Sequence, residues 1–495
     1  MQNKFILPVA FILCLFITKY GSSQTCDCKS NFEWMKKTFE ENDAGFKYIL
    51  SIKGQAAYDY HNKIILEKIN NVKDKKDCLP ILQEWLRFFR KGHIYIQSIE
   101  NNTTSTVPSQ PIDSIAILNQ FKNWPLQTID TLEFKRYLNN KKTQDFEGIW
   151  ESPPYKIAIK KNDNGYAGYL LNDLLPYWKV GQLKLEIRKD DEKWKGIAYM
   201  RDHSKVGNDY VASYGQNYLS VANFWLTRLA PKIITEKEIT DYFRTMNARA
   251  PYIEAINKNT LYFRIPSFAP TQKKAIDSVL IANKDKLSTT SNLIIDIRNN
   301  GGGGDASFES ILPYLFTNPT KEIGVDYLST SLNNQRMIDF LNNPDYKDYF
   351  DAKKRVWIKE SYDKLQKHLG EFVNLEEPVK SDDVKSLNTK MPFPKQVGIL
   401  INGGVGSTSE QFLLAAKQSK KVKLFGITTF GSLDISNMYA TKSPCNEYEL
   451  GYCLSRSKRI PDFIIDDRGI QPDYFIDNSV PDYKWVEFVR AILEQ

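Results

Sequence analysis

The chain has 495 residues, 42% of them hydrophobic and 25% charged, a globular composition too long for one ordinary core and too apolar for a disordered chain. Its net charge of +8 arises from 67 basic and 59 acidic residues spread along the whole length. No Lys/Arg block of the kind that nucleic-acid arms carry is present, so no nucleic-acid partner is expected.

The first residues, "MQNKFILPVAFILCLFITKYGSSQ", combine Lys4, an apolar run from Phe5 to Thr18 and small residues before Gln24. This reads as a signal peptide over residues 1–23, with an apolar run too short to span a bilayer comfortably. An exported protein follows, with no membrane span in the mature chain. Residues 24–100 read as an N-terminal helical unit. Phe32, Trp34, Met35 and Phe39, then Ile64, Ile65 and Ile69, then Leu82, Trp85, Leu86 and Phe89 recur at three- and four-residue steps. The unit ends in "RKGHIYI", a glycine turn into a short strand that carries His93. Residues 101–240 open with a polar linker containing Asn-x-Thr sequons and continue as a small β-rich middle unit, with short alternating strands and Gly or Asn-Asp turns. From 241 to 495, strand-like "LYFRIPSF", "SNLIIDIR", "QVGILIN" and "VKLFGIT" alternate with helical stretches, the order of an α/β domain with a partly parallel sheet.

Discarding Cys14 with the leader leaves Cys26, Cys28, Cys78, Cys445 and Cys453. A local Cys445–Cys453 disulfide is expected across a short Asn, Tyr and Gly-containing segment, and Cys78 is expected to pair with Cys26 or Cys28. One cysteine is left over. Zinc is not expected, because Cys-x-Cys lacks the usual spacer and no histidine lies nearby.

Two stretches carry chemistry. In "INGGVGSTSEQFLLAAKQ" a strand passes through a glycine turn into a helix, with Ser407, Thr408 and Ser409 at the junction. Ser407 and Glu410 have the spacing of a capping box. The same serine is also placed as a nucleophile, exposed on a tight turn beside backbone N–H groups and the positive end of a helix dipole. The second stretch is "LIIDIRNNGGGGDASF", where four glycines after a strand let backbone approach a ligand and aim N–H groups at an anion.

The ordered pieces "DIRNNGGG", "INGGVGSTSE", "TTFG" and "RGIQPD" resemble the carboxyl-terminal processing (tail-specific) serine peptidases and the tricorn protease core. The resemblance covers residues 255–480 and the "GHIYI" element. It implies a crotonase-like spiral α/β core, a serine peptidase acting on peptide or protein substrates, and no metal or organic cofactor. Residue by residue, it makes Ser407 the nucleophile and Thr408 and Gly302 the oxyanion donors, Gly302 being chosen from Gly301 to Gly303, while Ser409 keeps a structural role at the helix start. Family members with a Ser-Lys dyad carry lysine directly after "TFG", where this chain has Ser432. The tricorn-like branch uses histidine before a strand, which points to His93, with His203 as rival and His61 and His368 read as solvated. Asp466, or Asp467 beside it, falls where the family places the acid that fixes the imidazole tautomer, reaching His93 directly or through water. Lys442 is the alternative base. No Gly-Leu-Gly-type carboxylate-binding loop of a PDZ domain is found between residues 100 and 240, so the β-rich unit is read as a gate rather than a reader of chain ends. A rival of another class is a non-catalytic protein on the same fold, binding an apolar ligand or peptide.

Overall fold

The computed structural model describes residues 26–99, 119, 121–174, 176–201, 203–222, 224–344, 350–375 and 391–495. The expected signal peptide and the sequon-bearing start of the linker lie outside them. The protein is mixed α/β, with two compact units that are each discontinuous in sequence. One comprises Met1–Glu100, Ile323–Pro378 and Asp434–Asp467, the other Asn101–Glu322, Val379–Leu433 and Arg468–Gln495.

In the first unit, helices Cys28–Asn42, Phe46–Lys53, Gln55–Asn70 and Cys78–Arg87 follow the expected helical periodicity. Asp27 starts the first by accepting from the Ser30 N–H at 2.8 Å, an N-cap of the usual type. Their apolar faces, Phe32, Met35, Phe39, Trp85 and Phe89 among them, pack with Tyr448, Leu450, Tyr452 and Leu454 of strand Tyr448–Ser457. Each such side chain removed from water contributes about 1.5–3 kcal/mol. That strand is central to a five-stranded antiparallel sheet, pairing with Tyr95–Ser98, Val325–Leu328 and Ile435–Lys442. Position 451 is glycine because the Tyr95 ring covers it, and an added Cβ would meet that ring at 2.1 Å.

The second unit holds two sheets. Nine antiparallel strands between Gly148 and Ala230 form the β-rich part, around a core of Trp150, Ile157, Leu185 and Val221. The other has six strands. Tyr252–Ala255 is antiparallel at one edge, and Thr260–Arg264, Asn292–Asp296, Gln396–Ile401, Val422–Gly426 and Tyr474–Phe475 run parallel in that order. The four strand-like stretches read from the sequence are these consecutive parallel strands. Three of them, within 292–296, 396–401 and 422–426, are buried almost throughout, as strands covered on both faces must be.

The expected Cys445–Cys453 disulfide is not formed. Cys26 pairs with Cys445 and Cys28 with Cys78, leaving Cys453 as a buried thiol. The reason is the strand itself. Residues 448 to 453 are extended, and five residues of extended chain span about 16 Å, whereas a disulfide needs Cα atoms about 4.4–6.8 Å apart.

Candidate active site

Strands Asn292–Asp296 and Gln396–Ile401 are neighbours, so the loops leaving their carboxyl ends are adjacent. Ligands of parallel sheets bind at such ends. Asn402 ties the two loops together: its Oδ1 accepts from the Asn299 N–H at 2.9 Å, and its Nδ2 donates to Asn299 Oδ1 at 2.9 Å. Below them Asp296 is fully buried, bound by Arg298 Nη2 at 2.6 Å, Arg264 Nη1 at 3.3 Å and the Tyr262 hydroxyl at 2.8 Å. Burial opposes its charge, but Arg298 and then Arg264 prevail and hold the carboxyl below its ordinary pKa. The sequence shows this Asp and Arg inside a motif, and their work as a brace beneath the glycine loop emerges only in the fold.

Ser407 sits at the start of helix Thr408–Ala416 with φ 56° and ψ −127°, a region that L-residues rarely occupy. Its side chain makes no capping hydrogen bond, so the serine half of the expected capping box is absent. Glu410 instead turns its buried carboxylate to the next loop, accepting from the N–H groups of Gly431 at 2.8 Å and Ser432 at 2.9 Å and from the Thr429 hydroxyl. Burial still raises its pKa above the usual value. Ser432, at the position where a lysine base would stand, accepts the Ser407 N–H on its carbonyl at 3.1 Å.

Gly302 lies directly against the serine. A Cβ on it would meet Ser407 Cβ and the Thr408 nitrogen, each at 2.8 Å. Its N–H, however, donates to Asn300 Oδ1 at 3.1 Å. Gly303 has φ 150°, and an added Cβ would fall 2.2 Å from the Phe268 carbonyl, so only glycine fits. Its carbonyl accepts from Thr408 Oγ1 at 2.9 Å. Among the described residues, neither the Gly303 N–H nor the Thr408 N–H has an acceptor. Ser409 is fully buried, and its hydroxyl has no partner there either.

His93 and Asp466 belong to the other unit. His93 has φ 57°, and its Nδ1 lies 2.8 Å from the Ile435 carbonyl. A carbonyl only accepts, so Nδ1 carries the hydrogen and Nε2 presents its lone pair in the neutral ring. Asp466 was expected at that nitrogen. It acts one step away, its two oxygens accepting from the N–H groups of Asp434 at 2.7 Å and Ile435 at 3.0 Å. The shorter aspartate is thus used to hold the backbone that holds the histidine. Asp434 answers in kind, accepting from the Asp466 N–H at 2.9 Å and from Arg459 Nε at 2.9 Å. Arg90 forms a buried bidentate pair with Asp43 at 2.8 and 2.6 Å, and its Nη2 also donates to the His93 carbonyl at 3.1 Å. Burial lowers the His93 pKa, the Ile435 carbonyl raises it and Arg90 lowers it, for a net value below 6.5.

The rivals are placed elsewhere. His203 is buried between Phe121 and Trp178, with ring centroids at 3.7 and 3.8 Å. His61, read as solvated, stacks on Phe88 at 4.8 Å with Nε2 3.2 Å from the Trp85 carbonyl, because its helix packs against Cys78–Arg87. His368 is exposed beside Glu371, and Lys442 is exposed at a strand end. A cavity of about 480 Å³ between helices Lys237–Met246 and Trp485–Leu493 contains none of these groups. Among the described residues, no group of three or more His, Cys, Asp or Glu is arranged to hold a metal ion, and no helix is long and apolar enough to cross a membrane.

The chain resembles known proteins in sequence and in fold. Residues 259–476 match the profile of Peptidase family S41. The fold is similar to that of mature CPAF, at TM-score 0.52 and 12% identity, covering 94% of this chain and 97% of that one. Mature CPAF complexed with lactacystin gives TM-score 0.51 at 12% identity, covering 94% and 98%. The photosystem II D1 C-terminal processing protease is a looser likeness, at TM-score 0.38 and 12% identity over 95% and 98%. No curated protein sequence matches the chain. Residues 259–476 are thus similar to a Peptidase family S41 domain, which indicates a serine peptidase.

Proposed function

We propose that this protein is an exported peptidase that cleaves peptide bonds through an acyl-enzyme, with Ser407 as nucleophile and His93 as base. The observation that carries the reading is the backbone of Ser407, held at φ 56° against Gly302, with its side chain making no capping hydrogen bond. Strained non-glycine residues persist where the surroundings enforce them, and they cluster at reacting groups. His93 Nε2 takes the proton from Ser407 Oγ as Oγ bonds to the substrate carbonyl carbon. The oxyanion that forms is held by the N–H groups of Thr408 and Gly303, in place of Gly302, whose N–H is already donated. The intermediate collapses, the amine leaves with the proton from His93, and water releases the acyl group by the same path in reverse. Asp466 acts as a positioning residue through Ile435. The parallel sheet and its helices are read as a crotonase-like spiral core, and the two disulfides fit an oxidising compartment.

A fluorophosphonate probe tests the reading. We expect it to label the wild-type chain and not Ser407→Ala. Turnover of an internally quenched peptide should fall on the order of 10⁴- to 10⁶-fold in Ser407→Ala and His93→Ala, while Lys442→Ala retains most of it. An active His93→Ala would remove the base assignment. Failure of the wild type to label would leave the non-catalytic binding role standing.

A further inference from the structure

We infer that Glu410 is a positioning residue for the nucleophile, its carboxylate holding the Ser407 backbone in the conformation that presents the hydroxyl; this rests on the reading of Ser407 as the nucleophile. Three hydrogen bonds close a ring around the turn. The Ser407 N–H donates to the Ser432 carbonyl at 3.1 Å, the Ser432 N–H donates to Glu410 Oε2 at 2.9 Å, and the Glu410 N–H donates to the Ser407 carbonyl at 2.8 Å. The Glu410 side chain is the one link in that ring that is not backbone. The Ser407 N–H also acts on the carboxylate directly, being among the donors that favour its charged form against burial.

The other carboxylate oxygen is equally engaged. Oε1 accepts from the Gly431 N–H at 2.8 Å and from the Thr429 hydroxyl, whose oxygen accepts in turn from the Ile470 N–H at 2.7 Å. The carboxylate thus meets donors at both oxygens, the pattern of its ionised form. It is fully buried and, among the described residues, makes no ion pair. A carboxylate taken out of water with no cation beside it is costly to bury. Its charge is met by these donors and by the positive first turn of helix Thr408–Ala416. The return for that cost is at Ser407, whose φ of 56° persists in a non-glycine residue while the surroundings enforce it. A glutamine has the same shape but one acceptor oxygen, and its amide nitrogen would face either the Ser432 N–H or the Gly431 N–H and the Thr429 hydroxyl. One side of the hold is then lost.

The test measures fluorophosphonate labelling of Ser407 and turnover of an internally quenched peptide, with the full chain. In Glu410→Gln the rate constant for labelling and kcat should both fall on the order of 10²-fold. KM should stay within a few-fold of the wild type, and the fraction of chains labelled at completion should equal that of the wild type. Ser409→Ala, on the same helical turn, should label at the wild-type rate. Thr429→Val withdraws one donor from Glu410 and should slow labelling several-fold, and Thr429→Ser, which restores the hydroxyl, should recover most of the rate. This pair decides the matter if Glu410→Gln does not fold. A merely structural role lowers the fraction labelled and leaves the rate constant of the folded chains unchanged; that result, or unchanged rates in both Glu410→Gln and Thr429→Val, overturns the role of Glu410 alone. Absence of labelling in the wild type overturns it together with the nucleophile.

Discussion

At the scale of single residues, Ser407 combines two requirements that conflict. Its backbone conformation costs of order 1–3 kcal/mol for a non-glycine residue, yet its hydroxyl is needed. Ser407→Gly and Ser407→Ala should both be inactive, but glycine relieves the strain. Urea unfolding should find Ser407→Gly more stable than Ser407→Ala by about 1 kcal/mol. Ser409→Ala is the contrasting variant, since it removes a buried hydroxyl that has no partner and should be neutral or slightly stabilising. His93 makes a second conflict visible. Burial and Arg90 hold its pKa below 6.5, so the free base survives to lower pH than in an ordinary imidazole, and the acid limb of kcat/KM should lie below pH 6.5. Stability follows the same sign. The unfolded imidazole binds a proton at about 6.5 and the folded one only lower. The contribution is complete above pH 6.5 and is lost as pH falls through the window beneath. An acid limb above pH 7 contradicts a buried histidine base.

At the scale of elements, each candidate group is held by a short segment that a longer element carries. Helix Cys78–Arg87 ends just before Arg90, and helix Cys28–Asn42 ends at Asp43, so the ion pair of Arg90 with Asp43 joins two helix ends beneath the His93 backbone. Asp43 also accepts from the N–H groups of Cys453 at 3.1 Å and Gly45 at 2.9 Å, which links the pair to strand Tyr448–Ser457. Arg90→Ala leaves a buried carboxylate uncompensated and should cost about 3–5 kcal/mol in denaturant unfolding. Pairing Arg90→Met with Asp43→Asn should recover part of that loss, because no lone charge is left buried. If the double variant is the less stable, the pair is not acting as a compensated charge. The periodicity of these helices and the alternation of the strands are legible in the sequence because burial imposes them locally. The reciprocal holds of Asp434 and Asp466 are not, since two aspartates 32 residues apart become partners only when the chain returns.

At the scale of the whole molecule, both compact units are assembled from three separate stretches of chain. Interleaving of this kind leaves no mark in the local side-chain pattern along the chain. The disulfides follow it: Cys26–Cys445 joins residues 419 apart, and Cys28–Cys78 residues 50 apart. Closing the shorter loop should stabilise by about 4 kcal/mol through the unfolded chain, so Cys78→Ser should lower unfolding stability by up to that amount. Peptide mapping without reduction should recover those two pairs, with Cys453 reacting with a thiol reagent only after unfolding, since it is fully buried. Recovery of Cys445 linked to Cys453 would contradict the fold of the hairpin.

The sequence alone was enough to read the helical periodicity before residue 90, the short strands between Gly148 and Ala230, the parallel strands and the serine at a glycine turn. Each of these is a local pattern of side-chain period, glycine spacing or helix start, written within a few residues of where it acts. Tertiary structure alone decided that the Ser407 side chain makes no capping hydrogen bond, that Gly303 and not Gly302 keeps an unused N–H, that Ile435 stands at His93 Nδ1 where Asp466 was expected, and which cysteines pair. Those outcomes depend on which distant backbone group arrives within about 3 Å of a given atom. Hydrogen-bond partners and disulfides are set at that distance, and no pattern along the chain encodes it.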